Sequence, residues 1–310
     1  MKKYLILLLL ASSTAAFAQF KLNGKIANYA GTSDLHINIP VVYGFLSENS
    51  VAIPVNKNGS FAITLPVKGP KFANLMFQAY PYWLLLHPNK AITIELDAGN
   101  KIIKIISGSG QPENIILQKV NLTETPQFLL DDRYTTLDNN ALNNQLLKPY
   151  FAARDWKIAL VNQSTINPAY KKLIAAEIKY FAYNNLHELT DIGAANPAVL
   201  NKFVADIYSR ADVKPATMPA GPLYYIFVNN YLQEIEKKVP GKPASLLKRW
   251  ESAVKYLPAP VVEQFGYQMI INAFFTNNAA LCKALTAAYL KKFPAGVYIA
   301  DVKAKARKFK

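Results

Sequence analysis

Between Phe20 and Ile106, β-branched and aromatic residues recur in short runs: Phe20–Ile26, Leu35–Ile39, Val51–Val55, Phe61–Val67, Ala73–Ala79, Trp83–His87, Ala91–Leu96 and Ile102–Ile106. Runs of that length and composition predict strands. The clearest junction is Asn56-Lys57-Asn58-Gly59, because Asn-Gly tolerates positive φ and the flanking Val51/Ile53/Val55 and Phe61/Ile63/Leu65 alternate with period two. That pattern predicts a hairpin with one buried face. Pro66, Pro70, Pro81 and Pro88 fall at run ends, where a missing N–H costs least. The expected unit is an antiparallel β-sandwich or half-barrel.

Beyond Gly110 the period lengthens. In Pro168–Leu189, the residues Leu173, Ile174, Ile178, Phe181, Ala182 and Leu189 share one helical stripe, with Pro168 suited to a first turn and Gly193 just past the end. Further helices are predicted at Gln111–Leu122, Leu142–Leu160, Pro197–Ile207, Leu223–Lys238, Pro243–Tyr256, Val261–Asn277 and Ala279–Phe293. Glycine usage changes at the same place, since eight of the 13 glycines lie in residues 1–110. The fold class is therefore α+β, with a β-sandwich domain over residues 19–110 and a helical domain over 111–310. The polar pairs Asn139-Asn140 and Asn143-Asn144 are expected to mark an exposed stretch where the two meet.

Residues 1–18 stand apart from this pattern. A basic end, an apolar core and the small-residue site Ala16-Phe17-Ala18 make a secretory signal peptide, cut between Ala18 and Gln19. No cysteine follows the cut to take a lipid, and no later apolar run approaches the roughly 20 residues of a membrane helix. The expected location is the periplasm or the medium. The formal net charge of +15 favours anionic surfaces. Nucleic acid is not an expected partner, because export argues against it and the lysines are not interleaved with stacking aromatics. Cys282 is the single cysteine, so neither an internal disulfide nor a dithiol pair exists; in its apolar context it reads as a small core residue.

Candidate chemistry is sparse. His187-Glu188-Leu189-Thr190-Asp191 has the outline of a zinc-protease helix, but Asp191 stands where the second histidine belongs. His36 and His87 are the only other histidines, so a structural helix end explains the same letters and neither metal nor cofactor is expected. Asp131-Asp132, ahead of Arg133-Tyr134, and Glu95 with Asp97 on one strand face are carboxylate pairs of the kind glycoside hydrolysis uses. They equally suit a charged loop and a solvent-facing strand. The aromatic runs Phe77 to Trp83, with Tyr80 and Tyr82 between, and Tyr224-Tyr225-Ile226-Phe227 suit either a sugar or peptide groove or, more simply, a packed core. No nucleophile-elbow, P-loop or dinucleotide motif occurs.

The segments FKLNGKI, NKNGSFAITLPV, YWLLLHPNKAITIELDAG and IISGSGQPENIIL, within residues 20–120, resemble the β-domain that precedes thioredoxin in exported TlpA/ResA-like thiol–disulfide oxidoreductases. AEIKYFAYNNL and the closing KKFPAGVYIADVKAKARK are similar to the helical insert of those proteins. The family's Cys-x-x-Cys domain would follow Lys310, so no catalytic residue carries over. The resemblance implies a non-catalytic accessory module whose partner is an envelope thioredoxin-like protein or an anionic envelope surface. The alternative is an exported enzyme: a hydrolase acting on a polymer, or an oxidoreductase with its catalytic domain lost or supplied in trans. Residues 282–310 carry eight basic side chains against the single acid Asp301, and Val302, Ala306 and Phe309 form an apolar stripe. Such a tail is expected either to dock a following thioredoxin-like element or to lie frayed in solvent.

Overall fold

A computed structural model describes residues 18–31, 34–44, 49–78, 80–97, 99–122, 124, 138–191, 197–211, 221–238 and 245–309. Residues 1–17, most of the stretch read as a signal peptide, and also Asp131–Tyr134 and Gly193 lie outside them. The strands are β1 Gln19–Ala27, β2 Leu35–Asn38, β3 Ser50–Ala52, β4 Ser60–Pro66, β5 Lys71–Phe77, β6 Tyr80–Leu86, β7 Lys90–Asp97 and β8 Ile102–Ser107. Each predicted run overlaps one of them, although Val51–Val55 shares only Val51 and Ala52 with β3. They form two four-stranded sheets, ordered β4-β1-β7-β8 and β3-β2-β5-β6. Period-two burial supplies the shared core: Phe20, Leu22, Leu35, Ile37, Leu75, Phe77, Leu84, Ile92, Ile94 and Leu96 are each at most 3 % exposed.

Two features of the sheets depart from the expected pattern. β1 and β7 pair in parallel, Phe20 opposite Lys90 through Ala27 opposite Asp97, so one sheet is mixed rather than antiparallel. The long excursion through the other sheet is what allows it, since parallel neighbours need a crossover connection. The predicted hairpin at Asn56–Gly59 is instead a corner between sheets. β3 pairs with β2 and β4 with β1, leaving a single bridge from Val55 to Phe61. The turn itself is as read: the Gly59 N–H donates to Asn56 O at 2.8 Å, and Gly59 has φ 81°. An added Cβ there would lie 2.8 Å from the Ile26 carbonyl oxygen, so glycine is required.

Helix α1, Gln111–Val120, covers the opposite margin of the sandwich. The buried Asn114 amide accepts from Leu85 N–H at 2.8 Å and donates to Leu85 O at 3.0 Å, along the outer edge of β6. Gln118 donates to Trp83 O at 2.6 Å, and Gln111 donates to Ile106 O at 2.8 Å on β8. Each sheet's edge strand on that side is thus satisfied by a side-chain amide of one helix, which removes a template for strand addition. The chain divides into two compact units: the first takes Phe45–Asn121 and Ser164–Tyr170 with the chain up to Pro40, the second Val41–Gly44, Leu122–Gln163 and Lys171–Lys310. Helix α1 goes with the sheets.

The remaining described helices are α2 over 139–163, α3 Pro168–Asp191, α4 Pro197–Ser209, α5 Pro222–Lys237, α6 Leu246–Tyr256, α7 Ala259–Phe275, α8 Ala279–Lys292 and α9 Ile299–Arg307. Side-chain caps begin several of them. Asp138, Asn167, Ser245 and Asn278 each accept a backbone N–H of the first turn. The asparagine pairs expected in an exposed connection lie inside α2, whose turn Asn143–Leu147 is π-helical. Pro149 accounts for that turn: it has no N–H for the carbonyl four residues back, and widening the preceding turn accommodates its ring. Helix α9 corrects the reading of the tail. Val302 is fully buried and the Phe309 ring lies 5.5 Å from Phe274 of α7, so the apolar stripe is engaged within its own unit.

Candidate functional site

Helix α2 places Tyr150, Ala153, Arg154 and Lys157 on one face, the i, i+3, i+4, i+7 spacing of a single stripe. Facing them, α3 contributes Ile178, Phe181 and Ala182, and Leu122 with Glu124 complete a small, open cleft within the helical unit. Apolar side chains form its floor. The Tyr150 hydroxyl donates to Ala182 O at 3.0 Å, and burial pushes its pKa up to about 12. It therefore serves as a neutral wall at ordinary pH.

The charges of the cleft are unevenly solvated. Lys157 Nζ lies 3.4 Å from Glu124 Oε2, yet its side chain is 11 % exposed and that of Glu124 57 %. Burial holds the ammonium below its ordinary pKa in spite of Glu124. Arg154 packs its guanidinium 4.4 Å from the Phe151 ring centroid and binds Asp155 with both Nε, at 2.8 Å, and Nη2, at 2.7 Å. Two cations one turn apart thus border an apolar floor. Each cation is already paired with a carboxylate, Glu124 or Asp155, and among the described lining residues no nucleophile contacts a base.

A second polar network runs through the same unit and is structural. Glu177 of α3, 1 % exposed, accepts the N–H groups of Leu223 and Tyr224 at the start of α5. A Cβ at Gly221 would lie 2.0 Å from that carboxyl carbon, so glycine makes room for it. Burial outweighs the two amide bonds and raises Glu177 to about 8. Further along, Tyr289 donates to Glu263 at 3.1 Å, Tyr267 donates to Asp301 at 2.7 Å, and Tyr225 donates to Gln264. These bonds tie α5, α7, α8 and α9 together.

The residues singled out in the sequence are dispersed. His187 is buried between helices, a ring nitrogen 3.3 Å from Gln233 Oε1 and the other 4.0 Å from Glu234 Oε1. Asp191 is the last residue of α3, and among the described residues no three His, Cys, Asp or Glu side chains gather as ligands. His36 sits 3.2 Å from Asp34. His87 lies in the sheet unit, its ring 4.0 Å from that of Tyr170, and burial pushes it down to about 4. Glu95 pairs with Lys104 at 3.5 Å, and Asp97 accepts from Gly99 and Asn100 in the β7–β8 turn, which lowers its pKa. Phe77, Tyr82, Tyr224, Tyr225 and Phe227 are core residues, at most 6 % exposed. Tyr80 is exposed, under Lys101 at 4.9 Å. Cys282 is fully buried, and burial raises its thiol. The cleft residues Tyr150, Arg154 and Lys157 were not singled out, because two cations three apart are ordinary on a helix.

Among the described residues no helix is long and apolar enough to cross a membrane. The sequence matches no protein-family model and no curated protein.

Proposed function

We propose that this protein is an exported, non-catalytic binding module that works beside an envelope thiol–disulfide system. The observation that carries binding is the α2–α3 cleft, where a desolvated ammonium and a guanidinium border an apolar floor. The redox association rests on the resemblance of residues 20–120 to the β-domain of TlpA/ResA-like oxidoreductases, and export rests on the signal pattern ending at Ala18. Cys282 supports the non-catalytic part: it is the sole thiol, and its buried sulfur cannot resolve a mixed disulfide.

Two measurements test this reading. Intact mass of protein recovered from the exporting cell is expected to start at Gln19; a retained Met1 or a lipid-sized increment overturns soluble export. In a dithiol-driven assay the purified protein is expected to show no disulfide-reductase turnover, and a purified thioredoxin-like envelope oxidoreductase is expected to bind it saturably. Turnover that disappears in Cys282→Ser overturns the accessory role.

A further inference from the structure

The turn between α8 and α9 presents an apolar side chain to water on a fixed backbone. No residue from Phe293 to Ala300 is charged, and Pro294, Ala295 and Val297 are exposed, Val297 at 83 % being the most exposed large hydrophobic among the described residues. The backbone is held from inside the helical unit: Val297 N–H and the Tyr289 hydroxyl both donate to Glu263 Oε1, Gly296 N–H donates to Phe293 O at 3.2 Å, and the Tyr298 ring stacks on Tyr267 at 4.2 Å. A Cβ at Gly296 would lie 2.5 Å from the same Glu263 oxygen, so glycine lets the carboxylate reach the turn. A turn already ordered meets little further entropy cost when its exposed tip finds an apolar phase.

The charges beside this tip have one sign. Lys291 and Lys292 close α8 directly before it, both exposed and neither ion-paired among the described residues. Lys303 and Arg307 take exposed positions one turn apart on α9. The acids of α7 to α9 are Glu263, engaged as above, and Asp301, which accepts from Tyr267 at 2.7 Å and lies 3.9 Å from Lys305. Lysines in a last helical turn also complement the helix dipole, but that role gives Val297 no part. Charge complementarity selects an anionic surface, and the apolar tip selects one with an acyl interior over a hydrated polyanion.

We infer that the α8–α9 turn docks this protein on an anionic phospholipid bilayer, Val297 entering the headgroup layer and Lys291 with Lys292 meeting lipid phosphates. The inference rests on reading the chain as exported, which brings it to a membrane face, and adds the partner it meets there.

The test is co-sedimentation with vesicles of phosphatidylcholine alone or mixed with phosphatidylglycerol, using protein that starts at Gln19 so that the apolar residues 1–18 take no part. Binding is expected to be saturable on the mixed vesicles and about tenfold or more weaker on phosphatidylcholine alone. Lys291→Gln with Lys292→Gln is expected to weaken it about tenfold, whereas Lys57→Gln with Lys68→Gln, equal in charge and exposed in the sheet unit, changes it less than about twofold. Val297→Ser, which alters no charge and touches a side chain that packs on little, is expected to weaken it about fivefold. No binding to the mixed vesicles, equal binding to both kinds, equal losses in the two lysine pairs, or an unchanged affinity in Val297→Ser overturns the inference. Export is tested separately by intact mass, so the two readings fail on different results.

Discussion

At Gly266 of α7 the absence of a side chain is a packing requirement, because a Cβ there would lie 2.2 Å from Cζ3 of the Trp250 ring. Trp250 is itself held by Tyr289 and Phe293, with ring centroids 6.4 Å away in both cases, so it has little room to retreat. Gly266→Ala gains about 1 kcal/mol of helix propensity and meets an overpacking cost of about 1–3 kcal/mol. A net loss of about 1 kcal/mol or more, read as a lower urea midpoint, is the expected outcome. The double variant with Trp250→Phe is expected to recover part of it, since the two changes share one contact. Additive losses would show that the ring can move aside.

Edge strands are a hazard of any open sheet, and α1 answers it twice with amide side chains rather than with apolar cover. Asn114 is the critical one: fully buried, it satisfies both backbone groups of Leu85 and also donates to Gly110 O at 2.8 Å. Asn114→Ala leaves buried backbone groups unpaired at about 1–3 kcal/mol each. The expected result is a melting temperature lower by several degrees, together with concentration-dependent association read by light scattering, as β6 becomes free to pair. Asn114→Asp keeps the acceptor for Leu85 N–H but turns a second acceptor toward Leu85 O and Gly110 O at a fully buried site, and is expected to be at least as destabilising as Asn114→Ala. An unaltered melting temperature and a monomeric Asn114→Ala would show that α1 holds the edge by packing alone.

At the scale of the molecule, what the sequence discloses and what it hides follow one division. Strand and helix existence is a local property, so Phe20–Ile26 or Pro168–Leu189 is legible from spacing alone. Pairing is not local. The alternation around Asn56–Gly59 fits a hairpin and a corner between sheets equally well, and nothing near Phe20 tells that its parallel neighbour is Lys90. The cleft is hidden for the same reason, since Lys157 and Phe181 belong to different helices and meet only through packing. Titration is also set by burial, and it gives the two units opposite responses to pH.

In the sheet unit His87 is 1 % exposed, both ring nitrogens lack hydrogen-bond partners among the described residues, and its pKa is depressed to about 4 by burial and by Lys90. Unfolding restores it to about 6.5, so the unfolded chain takes up the proton first and stability falls as pH drops from about 6.5 to 4. In the helical unit Glu177 is raised to about 8 from 4.5, so the folded state keeps the proton longer and stability falls as pH rises from about 4.5 to 8. Each slope is at most about 1.4 kcal/mol per pH unit. Hydrogen exchange read peptide by peptide, corrected for the intrinsic pH dependence of exchange, separates the two. Peptides from β6 and β7 are expected to lose protection between pH 7 and 5, and peptides from α3 and α5 between pH 6.5 and 8. His87→Leu is expected to flatten the acid arm alone. Glu177→Gln, which keeps an acceptor for Leu223 N–H, is expected to flatten the alkaline arm alone. If either variant flattens both arms, or neither, the assignment of these slopes to two buried groups is wrong.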